Sequence, residues 1–292
     1  MRVLLLGASG FIGQRIVANV PDHIELTGTY FQNKMNSNHC CVEQLDCLDE
    51  GLDWPSIVMQ YSCIVVSARA NAGNKAERDL VSIRSKKGYR NMLDAVKESP
   101  NKPFIVALNG SLSYGHHGEQ LVTTGEEVRP TGFATSYSMA EQPFREDLSE
   151  GFGIAIVRAP WVLGLGSWFS QMYLKPGKVP IVGRGRQWMS VVTVDGLAAF
   201  VWQLVKRQTP GVYHPKLICR CRQKDFARAV NEVTKKPITR LGWFGLRTYE
   251  SQMRESILAS IRLDDGEGQK SEGQPALDEL KTAIGAIYSG FS

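Results

Sequence analysis

The chain has 292 residues, of which 43% are hydrophobic and 22% are charged, with a formal net charge of +5. This composition suits one large α/β domain, or one domain with a smaller appendage, and the weak charge does not favour nucleic acid as a partner. No apolar run reaches the roughly 18 residues that a membrane span needs. Because the chain starts directly with MRVLLLG, without a leader pattern, we expect a cytoplasmic protein with no membrane partner.

The first motif along the chain is a glycine-rich turn. The apolar run VLLL (3–6) leads into GASGFIG, where Gly7, Gly10 and Gly13 form G-x-x-G-x-x-G, and a helical apolar pattern follows. A strand, a glycine turn and a helix in this order indicate a dinucleotide-binding site. Gly7 would allow the tight turn, and Gly10 would allow a pyrophosphate to approach the backbone. Gly13 would allow the helix to pack closely on the strand. The predicted cofactor-binding residues of this motif are Gly7, Ser9, Gly10, Phe11, Ile12 and Gly13.

The end of the second predicted strand, 23–33, indicates which dinucleotide is bound. It reads TYFQNK, without the carboxylate that bonds the ribose 2′-hydroxyl of NAD. Asn33 and Lys34 could accept a 2′-phosphate instead, the alternative being that Lys34 is an ordinary loop lysine. We therefore predict NADP in preference to NAD.

Two further strand ends would complete the cofactor site. The segment VEQLDCLD (42–49) brings Asp46 and Cys47 to the adenine, and CIVVSARA (63–70) is predicted as the fourth strand. The latter ends in small residues where a cofactor would cross, so we assign Ser67, Ala68 and Arg69 to cofactor binding.

The six cysteines show no metal-binding pattern. There is no C-x-x-C pair, and Cys219 and Cys221 lie in LICRCRQ, whose alternation would place both thiols on one side of a strand. A metal site would need histidines or carboxylates at ligand spacing. We predict no metal site and buried, reduced thiols.

The order of motifs resembles the extended short-chain dehydrogenase/reductase family of nucleotide-sugar epimerases, dehydratases and reductases. Segments GYRNMLDAV (88–96), IVALNGSLSYG (105–115), IAIVRAPWVLGLG (154–166) and IVGRGRQWMSVVTVDGLA (181–198) match that family in order, and the resemblance covers about residues 1–235. It implies an α/β fold, namely a Rossmann-type doubly wound parallel sheet with a smaller C-terminal substrate-binding region.

The expected organisation begins with a dinucleotide-binding Rossmann core at residues 1–160. A substrate-binding region interleaved with the last core elements follows at 161–263, and a polar, glycine-rich segment at 264–275 predicts a flexible linker. Residues 276–292 form a predicted amphipathic helix. Its apolar face would contain Leu277, Leu280, Ile284, Ile287 and Phe291.

The segment RPTGFATSYSMAE (129–141) falls where the family usually has P-x-x-x-Y-G-x-S-K-x-x-x-E. Aligned without a gap, Phe133 takes the place of the tyrosine, Tyr137 that of the lysine, and Glu141 that of the common helix glutamate. In the family the tyrosine hydroxyl transfers the substrate proton, while the lysine lowers the pKa of the tyrosine and bonds the nicotinamide ribose. The resemblance thus implies that the usual pair is missing. Tyr137 would either bond the ribose or be a half-buried helix tyrosine.

A competing register makes Tyr137 the catalytic tyrosine, with Glu141 in the place of the lysine. A carboxylate raises the pKa of a neighbouring tyrosine, which is opposite to what the chemistry needs, so we favour the Phe133 register. His117, in the polar loop after SYG, and Ser111, near the fifth strand, are the other catalytic candidates. An imidazole titrates near neutral pH, although an exposed loop histidine is the alternative.

The substrate pocket is predicted from residues near the fifth and sixth strands. Pro160 and Val162 follow the sixth strand, where the family's backbone passes the nicotinamide. Aromatic rings offer flat contact area, and arginines can clamp an anionic group; a tryptophan in the core is the alternative for Trp161. The predicted substrate residues are Ser111, Ser113, Phe133, Trp161, Trp168, Arg184 and Arg186.

Three functions remain open from the sequence. The first is an NAD(P)-binding enzyme that acts on a small metabolite without the usual Tyr/Lys pair, by reduction or by non-redox chemistry. The second is a non-catalytic nucleotide-binding sensor or scaffold, and the third is an epimerase or dehydratase that uses Tyr137 as acid/base. In each case we expect a small-molecule ligand, and a homodimer is a possible assembly.

Overall fold

The structure is a computed structural model, in which residues 1–69 and 72–291 are described. Two predicted elements reach past these residues. The predicted strand 63–70 ends on residue 70 and the predicted helix 276–292 ends on residue 292, and both end residues lie outside the described part of the chain.

The strands and helices alternate over most of the chain. The strands are β1 Arg2–Leu6, β2 Glu25–Tyr30, β3 Cys41–Gln44, β4 Cys63–Val66, β5 Phe104–Gly110, β6 Leu121–Val122, β7 Ile154–Ala159, β8 Trp161–Leu163, β9 Val179–Val182, β10 Trp188–Thr193, β11 Gly211–Tyr213, β12 Cys219–Arg222, β13 Ile238–Leu241 and β14 Arg262–Leu263. The helices are α1 Phe11–Ala18, α2 Trp54–Val58, α3 Lys75–Glu98, α4 Ala134–Ser149, α5 Val194–Arg207, α6 Gln223–Thr234, α7 Trp243–Leu246, α8 Ser251–Leu258 and α9 Gly273–Ser289. Within residues 1–69 and 72–291, no helix is long and apolar enough to cross a membrane.

The chain divides into two units that each draw on several stretches of sequence. The first contains Met1–Asn109, Ser136–Arg158 and Ala198–Tyr213, and the second contains the remaining stretches. This differs from the continuous division at residue 160 that we predicted. The reason is that β11 pairs in parallel with β7 and so returns the chain to the first unit, with Val212 opposite Ile156.

The first unit is built on a seven-stranded sheet in the order β11-β7-β5-β4-β1-β2-β3. Strands β1, β4 and β7 are almost continuously apolar and buried, as expected for parallel strands covered on both faces. Strand β1 lies between β2 and β4 and pairs in parallel with both. The strand order reverses there, which is the point where ligands bind in open α/β sheets. The predicted Rossmann-type fold is confirmed.

The second unit contains three small sheets, in the orders β12-β10-β8, β13-β9 and β14-β6. Cys219 and Cys221 are both buried on β12, as their alternation predicts. Helix α9 packs on α6 through Leu280 and Ile284, which are buried in one cluster with Phe226. The C-terminal amphipathic helix therefore docks on its own chain.

The polar segment 264–275 differs from the flexible linker that its composition suggested. Arg220 on β12 is buried and donates to the carbonyl oxygen of Leu263 at 2.8 Å. Its Nε lies 3.1 Å from Glu272, and Asp265 accepts from the Leu217 amide at 3.0 Å. A buried guanidinium requires acceptors, and residues of this segment supply them.

Candidate functional site

The glycine turn after β1 has the geometry that its spacing predicts. Gly7 has φ +84°, and a Cβ on it would lie 2.6 Å from the backbone of Ala68. A Cβ on Gly13 would lie 2.1 Å from the Gly7 carbonyl oxygen, so α1 packs too closely on the turn for any side chain there. The Gly7 amide donates to Oγ1 of Thr29 at 3.2 Å. Sequence reasoning missed Thr29, because nothing in the local pattern shows that β2 supports the turn.

Gly10 is open where the other two glycines are enclosed. It is the N-cap of α1, and among the described residues the atom within 4 Å of a Cβ built on it would be the Gly7 carbonyl oxygen, at 3.3 Å. The first turn of α1, all of whose residues are described, contains no acidic side chain. Helix N-termini present free N–H groups and a positive dipole end. The turn with Ser9, Phe11 and Ile12 therefore fits a pyrophosphate group.

The residues predicted to contact the adenosine end of the cofactor follow β2 and β3. Asn33 and Lys34 are exposed in an irregular stretch that follows β2. Asp46 accepts from the Leu48 amide at 3.0 Å and thereby shapes the turn after β3. Burial, followed by the charge of Asp46, raises the pKa of Cys47 to about 11. This thiol is therefore neutral near neutral pH, and Cys47 could contact a cofactor only through its backbone and its uncharged side chain.

The end of β4 brings two predicted cofactor residues against the glycine turn. The Ser67 amide donates to the carbonyl oxygen of Leu6 at 3.0 Å. Ala68 faces Gly7, and its carbonyl oxygen accepts from the hydroxyl of Tyr89 at 2.8 Å. Because Tyr89 is buried in α3, this bond fixes the backbone at the place where a cofactor would cross.

Arg69 and Tyr137 meet at the same end of the sheet. The guanidinium of Arg69 lies over the ring of Tyr137, 4.6 Å from its centroid. Burial raises the pKa of Tyr137 to about 12, with a further increase from Glu141 and opposing contributions from Arg69 and Arg158. The hydroxyl therefore stays protonated near neutral pH, where it can take part in hydrogen bonds but cannot act as a base.

Glu141, four residues further along α4, is part of a buried ion cluster. It is 4% exposed and accepts hydrogen bonds from Arg158 on β7 and from the side-chain amide of Asn109. The Nε of Arg145 lies 3.2 Å from its other oxygen, at ion-pair distance but not aligned for a hydrogen bond. The cluster ties α4 to the sheet. A charged residue within the apolar strand IAIVRA was the signal that could have revealed it.

The second unit holds the predicted catalytic and substrate residues of the turn that follows β5. Ser111 and Ser113 are buried in a 3-10 turn, and within residues 1–69 and 72–291 the Ser113 hydroxyl has no hydrogen-bond partner. The Phe133 amide donates to Oγ of Ser256 at 3.0 Å, which fixes the backbone ahead of α4. The half-buried Phe133 ring carries no proton donor.

His117 is anchored on both its backbone and its ring. Its amide donates to the carbonyl oxygen of Ser260 at 2.9 Å, and its Nε2 lies 3.0 Å from the carbonyl oxygen of Tyr114. A carbonyl can only accept, so Nε2 carries the proton in this contact and Nδ1 is the basic nitrogen. The ring is half-buried rather than freely exposed.

The two tryptophans of the predicted pocket lie in contact, with ring centroids 4.6 Å apart. Trp168 also contacts Phe169 and Phe226, and its indole N–H donates to the carbonyl oxygen of Val162 at 2.9 Å. Both tryptophans are half-buried and pack against the core of the second unit.

The remaining predicted residues of the second unit occupy strand ends and turns. Pro160 is buried between β7 and β8, and Val162 pairs with Val192. Arg184 and Arg186 are exposed on either side of Gly185, which has φ +64°. Within the described ranges, no three His, Cys, Asp or Glu side chains are grouped as metal ligands would be.

Comparison with known proteins shows which family has these features. The family model "NAD dependent epimerase/dehydratase family" matches residues 3–214. A curated relative, the uncharacterized protein y4nL of Sinorhizobium fredii, is 30% identical over 112 residues. That match covers 36% of this chain and only 31% of the relative.

Solved structures share the fold at low identity. Human epimerase family protein SDR39U1 (isoform 2), solved with NADPH, has a TM-score of 0.73 at 16% identity, with 99% of each chain covered. DesIV, the dTDP-glucose 4,6-dehydratase of Streptomyces venezuelae, solved with NAD and TYD, has a TM-score of 0.72 at 16% identity, covering 99% of this chain and 97% of that one. The UDP-N-acetylglucosamine 4-epimerase of Methanobrevibacter ruminantium M1 has a TM-score of 0.74 at 17% identity, with coverage of 99% and 97%.

The family match extends from the first residues of β1 to the end of β11 and so includes the whole seven-stranded sheet. The chain belongs to the NAD dependent epimerase/dehydratase family.

Proposed function

We propose that the protein is an NADP(H)-dependent enzyme that acts on a small metabolite, by reduction or by non-redox chemistry, without the family's Tyr/Lys acid-base pair. The observation that carries this proposal is the state of Tyr137. Its ring is half-buried beneath the Arg69 guanidinium, 4.6 Å from the ring centroid, and its raised pKa of about 12 keeps the hydroxyl protonated, so that it cannot serve as a base. Phe133, at the position of the family's tyrosine, has no hydroxyl at all.

Arg69 supports a cofactor-side role for Tyr137. In the favoured register Tyr137 replaces the lysine, whose positive charge is thereby lost from α4. The guanidinium over the Tyr137 ring restores a cation at that end of the sheet. We propose that the Tyr137 hydroxyl bonds the nicotinamide ribose and that Arg69 holds the ring in place. When bound, the nicotinamide would supply hydride-transfer chemistry.

Because we assign the Tyr137 hydroxyl to the nicotinamide ribose, the proton that a reduction consumes needs another donor. We propose His117 for this role, because its Nε2 is occupied by the Tyr114 carbonyl oxygen, which leaves Nδ1 as the ring nitrogen that could exchange a proton with a substrate. Ser111 is the second candidate for a hydroxyl that contacts the substrate. The predicted homodimer remains a proposal, in which the exposed Leu80 and Ile83 of α3 would be covered.

The test of the proposed function is consumption of NADPH in the presence of ketones, aldehydes and nucleotide sugars, followed by absorbance. Consumption with one class of substrate would support the enzyme and name its chemistry. Tight NADPH binding with no consumption and no altered product across the panel would favour the sensor or scaffold.

The cofactor preference gives a separate prediction. We expect calorimetry to show tighter binding of NADPH than of NADH, because the stretch after β2 has an exposed lysine and no carboxylate before residue 43. Lys34→Gln should weaken NADPH binding by roughly 10- to 100-fold, the contribution of a charged hydrogen bond, and leave NADH within about threefold.

Lys270→Gln is the matched control, since Lys270 is exposed in the C-terminal segment and should change neither affinity. Tighter binding of NADH by the native protein, or equal losses for both cofactors in Lys34→Gln, would contradict the assignment of Lys34.

A further inference from the structure

The parallel strands β9 and β13, with the residues that follow them, form a surface in which only Arg184 and Arg186 are among the predicted substrate residues. Its two segments are residues 178–187 and 235–249, and the strands pair with Arg240 opposite Ile181. We call this region the basic–aromatic surface. Both segments belong to the second unit.

The charge of this surface is of one sign. Its segments contain seven of the chain's 34 Lys and Arg residues and none of its 29 Asp and Glu residues. Without them the chain would carry a net charge of −2 in place of +5. The cations are Lys178, Arg184, Arg186, Lys235, Lys236, Arg240 and Arg247, of which Lys236 is half-buried and donates to the carbonyl oxygens of Leu174 and Pro176. Cations are more than twice as frequent in these 25 residues as in the whole chain, 7 of 25 against 34 of 292, which favours an anionic partner.

Large apolar side chains are exposed among these cations. Trp243 is 60% exposed and Phe244 is 84% exposed, on the single turn of α7. Ile238 and Tyr249 are also exposed, and Arg247 lies over the Trp243 ring, 5.3 Å from its centroid. Adjacent aromatic rings left in water are unfavourable unless something covers them.

We propose that the basic–aromatic surface binds the anionic headgroup layer of a lipid bilayer, with Trp243 and Phe244 inserted. Stable peripheral attachment needs two signals, such as apolar insertion and a polybasic patch. Aromatic side chains prefer the boundary between headgroups and acyl chains, and cations near an anionic leaflet add to binding.

The bilayer is favoured over other anionic partners by how far the rings are exposed. A single-stranded nucleic acid stacks its bases on rings that line a groove, whereas Phe244 extends almost wholly into solvent. A lipid layer, into which a protruding ring can insert, fits the exposure of Phe244 better than a stacked base does. The inference revises the sequence-based expectation that no membrane is a partner, because that expectation considered only spanning segments.

The test is co-flotation of the full chain with vesicles of phosphatidylcholine alone, and with vesicles in which about a third of the lipid is phosphatidylglycerol. We expect binding to the anionic vesicles only, and loss of that binding at about 1 M salt. Arg240→Gln with Arg247→Gln should lower the partition coefficient by roughly 25-fold, at about fivefold per charge. Trp243→Ala with Phe244→Ala should lower it by at least about tenfold at low salt.

Matched control variants remove side chains of the same kind outside the basic–aromatic surface. Lys216→Gln with Lys270→Gln removes two exposed cations, and Met59→Ala with Leu165→Ala removes two exposed apolar side chains. Both control pairs should bind like the native chain. Absence of vesicle binding, or binding that neither surface pair weakens, would overturn the proposal. Binding of a uridine oligonucleotide that depends on the same side chains, without vesicle binding, would overturn it in favour of nucleic acid.

Discussion

Gly10→Val is expected to abolish binding of NADP(H) while the fold is retained. Gly10 has extended backbone angles, φ −75° and ψ 166°, that valine adopts readily. Its side chain would occupy the space at the N-terminus of α1 where we place the pyrophosphate. Calorimetric titration should show at least about a 100-fold loss of NADPH affinity, since several charged hydrogen bonds fail together. Thermal denaturation should show that the free energy of unfolding falls by only about 1 kcal/mol, because valine is a poorer N-cap than glycine.

Substitutions at two other glycines serve as controls, one expected to be neutral and one expected to prevent folding. In the described part of the chain, no atom lies within 4 Å of a Cβ built on Gly177, so Gly177→Val should leave both fold and affinity unchanged. Gly13→Val should fail to fold, because its Cβ would collide with the Gly7 carbonyl oxygen. NADPH binding by Gly10→Val within about tenfold of the native value would show that the pyrophosphate does not occupy the glycine turn.

Glu141→Gln is expected to lower the free energy of unfolding by about 3–5 kcal/mol, because it leaves the Arg158 guanidinium buried without its counter-charge. Both side chains of this pair are only 2% exposed. Denaturant titration at neutral pH measures the effect. Glutamine keeps the shape of the side chain, so the loss reports on charge rather than on packing.

The matched control is Glu50→Gln, which removes a carboxylate from an exposed ion pair with Lys87. Exposed pairs contribute at most about 1 kcal/mol, and we expect no more than that here. A second variant, Glu141→Gln with Arg158→Met, should recover part of the stability because it removes the uncompensated charge. A loss below about 1 kcal/mol in Glu141→Gln alone would mean that the cluster is not essential to the attachment of α4.

The parts of the fold that depend on local pattern were predictable from the sequence. The run VLLL followed by GASGFIG specifies a strand, a tight turn and a helix start, because the conformation of each residue there depends on its neighbours in the sequence. The aligned order of later motifs then placed β5, β7 and α4. The gap-free alignment of RPTGFATSYSMAE also identified Tyr137 and Glu141 as residues of one helix.

The parts that depend on distant pairing were not predictable. Strand β11 has only three residues, and its place at the edge of the first sheet depends on β7, more than 50 residues earlier. The role of segment 264–275 depends on the buried Arg220, whose need for acceptors cannot be read from a polar, glycine-rich composition. The exposure of Trp243 and Phe244 is likewise a property of the folded chain, since aromatic residues in an apolar stretch are usually buried.

The most direct test of the central claim, that Tyr137 contacts the cofactor and is not the proton donor, is the turnover of Tyr137→Phe at saturating NADPH with the first substrate found. The variant loses one hydroxyl and keeps the ring beneath Arg69. We predict weaker NADPH binding by about the value of one hydrogen bond, roughly 0.5–1.5 kcal/mol, and turnover within about tenfold of native. A fall in turnover of about a thousandfold or more, in the range of lost acid-base catalysis, would contradict the account and restore Tyr137 as the catalytic residue.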